Sequence, residues 1–139
     1  PLYAALEKKV SGIIRSVMSN CAMPSQQTAL RALASPAFVA EHAAKAAILR
    51  ERAQEVKRIL AQPKYADAWE MHPFNSGYFM CLKLKRVTAE ALRKHLLEKY
   101  AVGTIAADTH DLRIAFSCVE KERIAELFEI IHQAARDLA

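Results

Sequence analysis

Seven residues constrain this chain more than any others. Val39, Ala43, Ala46, Leu49, Ala53, Val56 and Leu60 follow one another at steps of 4, 3, 3, 4, 3 and 4. That spacing places all of them on one side of a helix. Ser35-Pro36 supplies the start, with Ser35 as N-cap and Pro36 at the first helical position, and Pro63 stands just past the end. The predicted helix, over 36–61, is about 25 residues long and spans roughly 37 Å at 1.5 Å per residue. Its alanines let a partner surface approach closely.

Upstream, Leu2, Leu6, Val10, Ile13, Ile14 and Val17 give residues 2–18 the pattern of an amphipathic helix, which Gly12 weakens without ending. "SNCAMPSQ" breaks that pattern, and Pro24 opens a short helix over about 25–34. Downstream, the period changes. "WEMHPF" is a short extended piece, "NSG" a turn and "YFMCLKL" a strand. Residues 88–99 read as a helix capped by Thr88. "VGTIAA" and "LRIAFSC" are strands joined by "DTHD". Residues 119–138 form a closing helix with Ile124, Leu127, Phe128, Ile131 and Ala135 on one face. Several helices followed by β-α-β-β-α predict an α+β fold. Its small antiparallel or mixed sheet is covered on one face by helices, and helices including the long one precede it.

Bulk properties narrow the function classes. A length of 139 residues fits one domain, and 53% hydrophobic content supports a core. No apolar run reaches the length of a membrane span. The net charge of +5 raises the question of nucleic acid, but the bases are interleaved with acids, as in "LRERAQEVKRIL", which marks solvated helix faces. Cys21, Cys81 and Cys118 form no C-x-x-C pair and read as free thiols of a reducing compartment, the cytoplasm. The five histidines are too dispersed for a metal motif, and nothing specific supports a Cys-His nucleophile. With three glycines, no glycine-rich phosphate loop can be built. No membrane, nucleic-acid or metal partner is therefore expected. The chain starts at Pro1 rather than Met, so the true start is expected upstream or removed.

"DLRIAFSCV", residues 111–119, carries the most chemistry. Leu112, Ile114, Phe116 and Cys118 alternate with Arg113, Ala115 and Ser117, the pattern of a strand with one buried face. Arg113 on the other face has two readings. It is a cross-strand salt-bridge partner, or it is a clamp whose two parallel N–H donors match a carboxylate. Small neighbours Ala115 and Ser117 leave room for a ligand.

Three segments carry a resemblance over nearly the whole chain. "IIRSVMSNCAMPSQ", "NSGYFMCLKL" and "LRIAFSCV", in this order around the long alanine-rich helix, resemble the C-terminal part of pyridoxal-phosphate aminotransferases of the aspartate aminotransferase family (class I/II, fold type I). The resemblance implies that residues 1–34 are interdomain and interface helices with a loop, and 35–139 a small domain. It implies that Arg113 binds the α-carboxylate of the amino or 2-oxo acid. Arg15, four residues before Ser19, then matches the arginine that reads a distal substrate carboxylate across a homodimer. Ser19 and Asn20 match the interface loop, although Cys21-Ala22 stand where the family often has two prolines. Gly77, Tyr78 and Phe79 match the opening of the small-domain strand, with Phe79 as the pocket wall. The cofactor-bearing lysine, the phosphate loop and the aspartate facing the pyridine nitrogen belong upstream of Pro1; Lys8 and Lys9 are not that lysine. The resemblance thus implies an inactive fragment, with no catalytic or cofactor-binding residue of its own, from a pyridoxal-phosphate enzyme. Apolar surface along 2–34 and on one side of 36–61 is then expected to be exposed. The alternative is a free-standing, non-catalytic α+β module that binds a carboxylate or a partner protein.

Overall fold

A computed structural model describes residues 1–19, 22–75 and 77–139. The chain divides into two compact units, Pro1–Ala43 and Ala44–Ala139. The first contains α1 (Leu2–Val17), α2 (Met23–Leu33) and the start of α3 (Phe38–Leu60). Pro24 lies in the first turn of α2, where its missing N–H is no loss. Ser35 is not the N-cap of the long helix: its Oγ accepts from the Ala37 amide at 3.3 Å, ahead of the first helical residue, Phe38. Pro36 and Ala37 form a turn, and the helix itself begins two residues later than Pro36. No described residue of this unit is buried. Leu2, Val10, Ile13 and Val17 are exposed in α1, as are Met23, Leu30 and Leu33 in α2 and Val39 at the head of α3. The apolar exposure expected along 2–34 is present.

The second unit holds the core. Its sheet consists of β1 (Trp69–Met71), β2 (Met80–Leu84), β3 (Ile105–Ala106) and β4 (Asp111–Ile114), in the order β1-β2-β4-β3. All three pairings are antiparallel, which resolves the antiparallel-or-mixed expectation. Period-two alternation sends Met80, Leu82, Leu84, Leu112 and Ile114 to the covered face. There they join Val56 and Ile59 of α3, Leu92 and Leu96 of α4 (Ala89–Tyr100), and Ile124, Phe128 and Ile131 of α5 (Ile124–Asp137) in one cluster. Thr88 caps α4 as expected, its Oγ1 accepting from the Ala91 amide. The fold is α+β, with helices on one face of a small antiparallel sheet.

Three further readings need correction, the first being the closing helix expected over 119–138, which runs from Ile124 to Asp137 after a separate 3₁₀ turn at Lys121–Arg123. The strand predicted through Cys118 ends at Ile114, because Ala115 leaves extended geometry (φ −88°, ψ 75°) and Phe116–Cys118 turn as a 3₁₀ helix. Phe116 is still buried by that turn, whereas Cys118 is exposed rather than part of a buried face. The seam of the long helix is also covered only in part. Ala46, Leu49, Ala53 and Leu60 are half-buried and Val56 is buried, but Val39 and Ala43 are exposed.

Candidate functional site

The face of the sheet opposite the core has no helix packed on it from the described core cluster, and it carries the polar side chains of β2 and β4. Register sets their neighbours. Arg113 of β4 lies between Cys81 of β2 and Ile105 of β3, while Asp111 pairs with Lys83. The Arg113 guanidinium carbon sits 4.9 Å from the centroid of the Phe79 ring. That cation–π contact places the guanidinium over the ring. Arg113 Nε is buried with no hydrogen-bond partner. Among the described residues Arg113 makes no ion pair, so the cross-strand salt-bridge reading loses its partner: Cys81 and Ile105, its register neighbours, are uncharged.

A buried donor without an acceptor is costly. An incoming anion relieves that cost, and a carboxylate does so with the geometry the guanidinium fork presents. Beside the Phe79–Arg113 pair lies a cleft of about 510 Å³ walled by Phe74, Phe79, Cys81, His72 and Asp111. His72 Nε2 and Asp111 Oδ1 are 2.8 Å apart, so these two groups engage each other. Burial pushes the Cys81 thiol up, the Asp111 carboxylate adds to that, and Arg113 opposes it. Cys81 is thereby kept protonated, which suits a wall and not a nucleophile.

The approach to β2 depends on glycine. Gly77 has φ +90°, in the left-handed region that side chains resist, and Tyr78 and Phe79 follow it with roughly half of their surface exposed. Tyr78 O accepts from the Ser117 amide at 3.4 Å, which ties the entry of β2 to the turn after β4.

Sequence reasoning missed Arg52. Its Nη1 donates to the Ser117 carbonyl and its Nη2 pairs with Glu120 at 2.6 Å, with only 14% of the side chain exposed. This α3 arginine fastens the turn that follows Arg113. The run "LRERAQEVKRIL" looks like a solvated face, yet Arg52 stands three residues after Leu49 and four before Val56. Its place beside the apolar seam was the available signal.

Arg15 and Ser19 lie in the first unit. Arg15 Nη1 donates to Ser19 Oγ at 2.9 Å and to Ser19 O at 3.3 Å, and Ser19 takes a left-handed φ of 64°. Asn20 lies outside the described residues. No helix among the described residues is long and apolar enough to cross a membrane, and no group of three or more metal-ligating side chains occurs among them.

With this geometry in place, comparison with known proteins adds the following. The sequence model of the family described as aminotransferase class I and II matches residues 3–131. Among solved structures, the chain is similar to LysN, the α-aminoadipate aminotransferase of Thermus thermophilus, complexed with N-(5'-phosphopyridoxyl)-L-leucine. The TM-score is 0.66 and the identity 21%, over 78% of this chain and 30% of that one. The chain thus corresponds to under a third of the length of that enzyme. No curated protein matches.

Proposed function

We propose, from the premise that the chain belongs to the class I and II aminotransferase family, that it is the small-domain part of a pyridoxal-phosphate aminotransferase. On this reading its task is to hold the α-carboxylate of the amino or 2-oxo acid through Arg113. The observation that carries it is the buried, unpartnered Arg113 Nε on a guanidinium stacked over Phe79. A salt-bridge residue would have its carboxylate already.

The side chains around Arg113 fit a substrate carboxylate and not the cofactor, since they form an aromatic wall and one cationic fork without a phosphate cradle. When bound to the rest of the parent enzyme, pyridoxal phosphate supplies the carbonyl carbon and the electron sink that amino-group exchange needs. This chain's residues bind and orient. Arg113 fixes two oxygens of the substrate, which sets the direction of its Cα–N bond. Phe79 keeps the guanidinium face dry and closes one side of the pocket. Arg52 positions the Ser117 turn next to the strand that bears Arg113.

The finer assignments extend the same reading. Arg15, held by Ser19, would read a distal carboxylate across the interface of a homodimeric parent, with Ser19 and Asn20 in the interface loop. The 139 residues alone would be inactive. The thiols Cys81 and Cys118 suit a cytoplasmic enzyme.

The test is Arg113→Lys in the parent enzyme. Charge and fold should survive while the fork is lost. Loss of one arm and of substrate orientation should cost roughly 2–4 kcal/mol, or about 30- to 1000-fold in kcat/KM. A change within about threefold would return Arg113 to a structural role.

A further inference from the structure

A second cleft, distant in sequence from the Arg113 strand, gathers cations. It has a volume of about 670 Å³, and its lining includes Lys64, Asp67, Arg86, His132, Arg136 and Ala139. None of these residues lines the cleft beside Phe79. Lys64 is answered by Glu129. Arg86 and Arg136 are not: among the described residues neither guanidinium has a hydrogen-bond or ion-pair partner. The two also line a small adjoining cavity together, so they are neighbours. Asp67 is an acid on the same wall, and its Oδ1 lies 3.6 Å from His132 Nε2, at ion-pair distance though without a hydrogen bond, so an incoming anion would share that ring with it.

His132 completes the site. Its side chain is 13% exposed. The ring stands edge-on to Tyr65 at 5.2 Å and to Trp69 at 5.5 Å, which fixes its orientation. Nε2 is buried and has no hydrogen-bond partner.

We propose that this cleft binds a phosphate group, free or carried on a small metabolite, through Arg86 and Arg136 with His132 Nε2 as a third donor. Two like charges side by side repel, and an anion between them removes that cost. Guanidinium forks match phosphate oxygens pairwise. Donors arriving from the segment after β2 and from two turns of α5 suit a tetrahedral anion better than a planar one. Arg136 alone could be explained as a cation complementing the C-terminal pole of α5. That explanation does not reach Arg86, which is not on the helix.

The test is a titration of the isotope-labelled chain with inorganic phosphate and with phenyl phosphate at low ionic strength, followed by NMR. Saturable shifts at the Arg86, Arg136 and His132 side chains are expected. The double variant R86Q/R136Q, at two exposed positions, should weaken binding about tenfold or more. His132→Phe keeps the ring packing and should weaken it severalfold. Arg113→Gln should leave it within about twofold, because Arg113 lines neither this cleft nor the small cavity beside it. Tighter binding of phenyl phosphate supports a phosphorylated metabolite, and equal binding supports free phosphate. No saturation by about 10 mM of either anion, a Kd weaker than roughly 3 kcal/mol of binding energy, overturns the proposal. So does binding that survives R86Q/R136Q or is lost in Arg113→Gln.

Discussion

α1 and α5 have nearly the same pattern and opposite fates. Each is an amphipathic helix with apolar residues three and four apart. In α5 the stripe is covered: Ile124, Phe128, Ile131, Ala134 and Ala135 are buried. In α1 no residue is buried, and Leu2, Val10, Ile13 and Val17 face solvent. Periodicity therefore declares that a face seeks cover. It does not say where the cover comes from. For α5 it is the sheet of the same unit. For α1 no described residue buries it, and a 16-residue helix without tertiary packing is marginal in water.

The most damaging substitution tests that contrast directly. Phe128→Ala removes a fully buried ring from the core and should destabilise the 44–139 unit by about 3–5 kcal/mol. Ile13→Ala in the same chain should change the denaturation midpoint negligibly, because Ile13 is 61% exposed. Denaturant unfolding followed by Trp69 fluorescence reports on the core and checks both. A loss above about 1 kcal/mol from Ile13→Ala would mean that α1 is packed in solution and that the contrast fails.

A more modest change approaches the contrast from the other side. Ala101 closes α4 in the left-handed region, φ 54°, with its amide bonded to the Leu96 carbonyl. Only glycine enters that region freely, and a Cβ there costs roughly 1–2 kcal/mol. Ala101→Gly should therefore stabilise the second unit by about 1 kcal/mol. Thermal unfolding should show a midpoint raised by about 4–8 °C for a domain of this size, with the helical signal of residues 1–43 unmoved. An unchanged or lower midpoint would mean that the alanine methyl group contributes packing that outweighs the strain.

Local signals made most of the second unit legible. Thr88 before an apolar-periodic run marks the start of α4, and alternation from Met80 to Leu84 marks β2. What failed to show was set by tertiary contact. Phe116 continues the alternation of Leu112 and Ile114 and is buried like them, so nothing in the pattern signals that the backbone has already turned at Ala115. The seam of α3 reads as continuous from Val39 to Leu60, but only its later part meets the sheet. Arg113 was legible as an unusual cation on a strand, whereas its pairing with Phe79 needed the chain to fold back across 34 residues of sequence. Arg52 and Glu120, 68 residues apart, had no local signature as a pair.

The subtlest change concerns the clasp between α4 and α5, an arrangement with no counterpart among the described side chains of α1 and α2. Asp137 Oδ2 accepts from His95 at 2.9 Å, Lys99 at 2.7 Å and the Tyr100 hydroxyl at 2.7 Å, and Oδ1 accepts from Gln133 at 2.9 Å. A carboxylate at the last turn of a helix is normally opposed by the helix dipole. Here four donors outweigh it: the bond from His95, then those from Lys99, Gln133 and Tyr100, hold the Asp137 carboxyl well below the usual carboxylate range. The sign follows from that direction. The folded state binds its proton less readily than the unfolded chain, so the clasp contributes fully above the unfolded value, about pH 4. The contribution fades as pH falls below it. Asp137→Asn keeps the shape and one acceptor oxygen but removes the charge. It should lower the thermal midpoint of the second unit at pH 7, and the gap to the unmodified chain should narrow steadily as the pH is taken from about 4 towards 2. A gap that stays constant over that range would mean that Asp137 acts through neutral hydrogen bonding alone, and that the charge contributes nothing to holding α4 against α5.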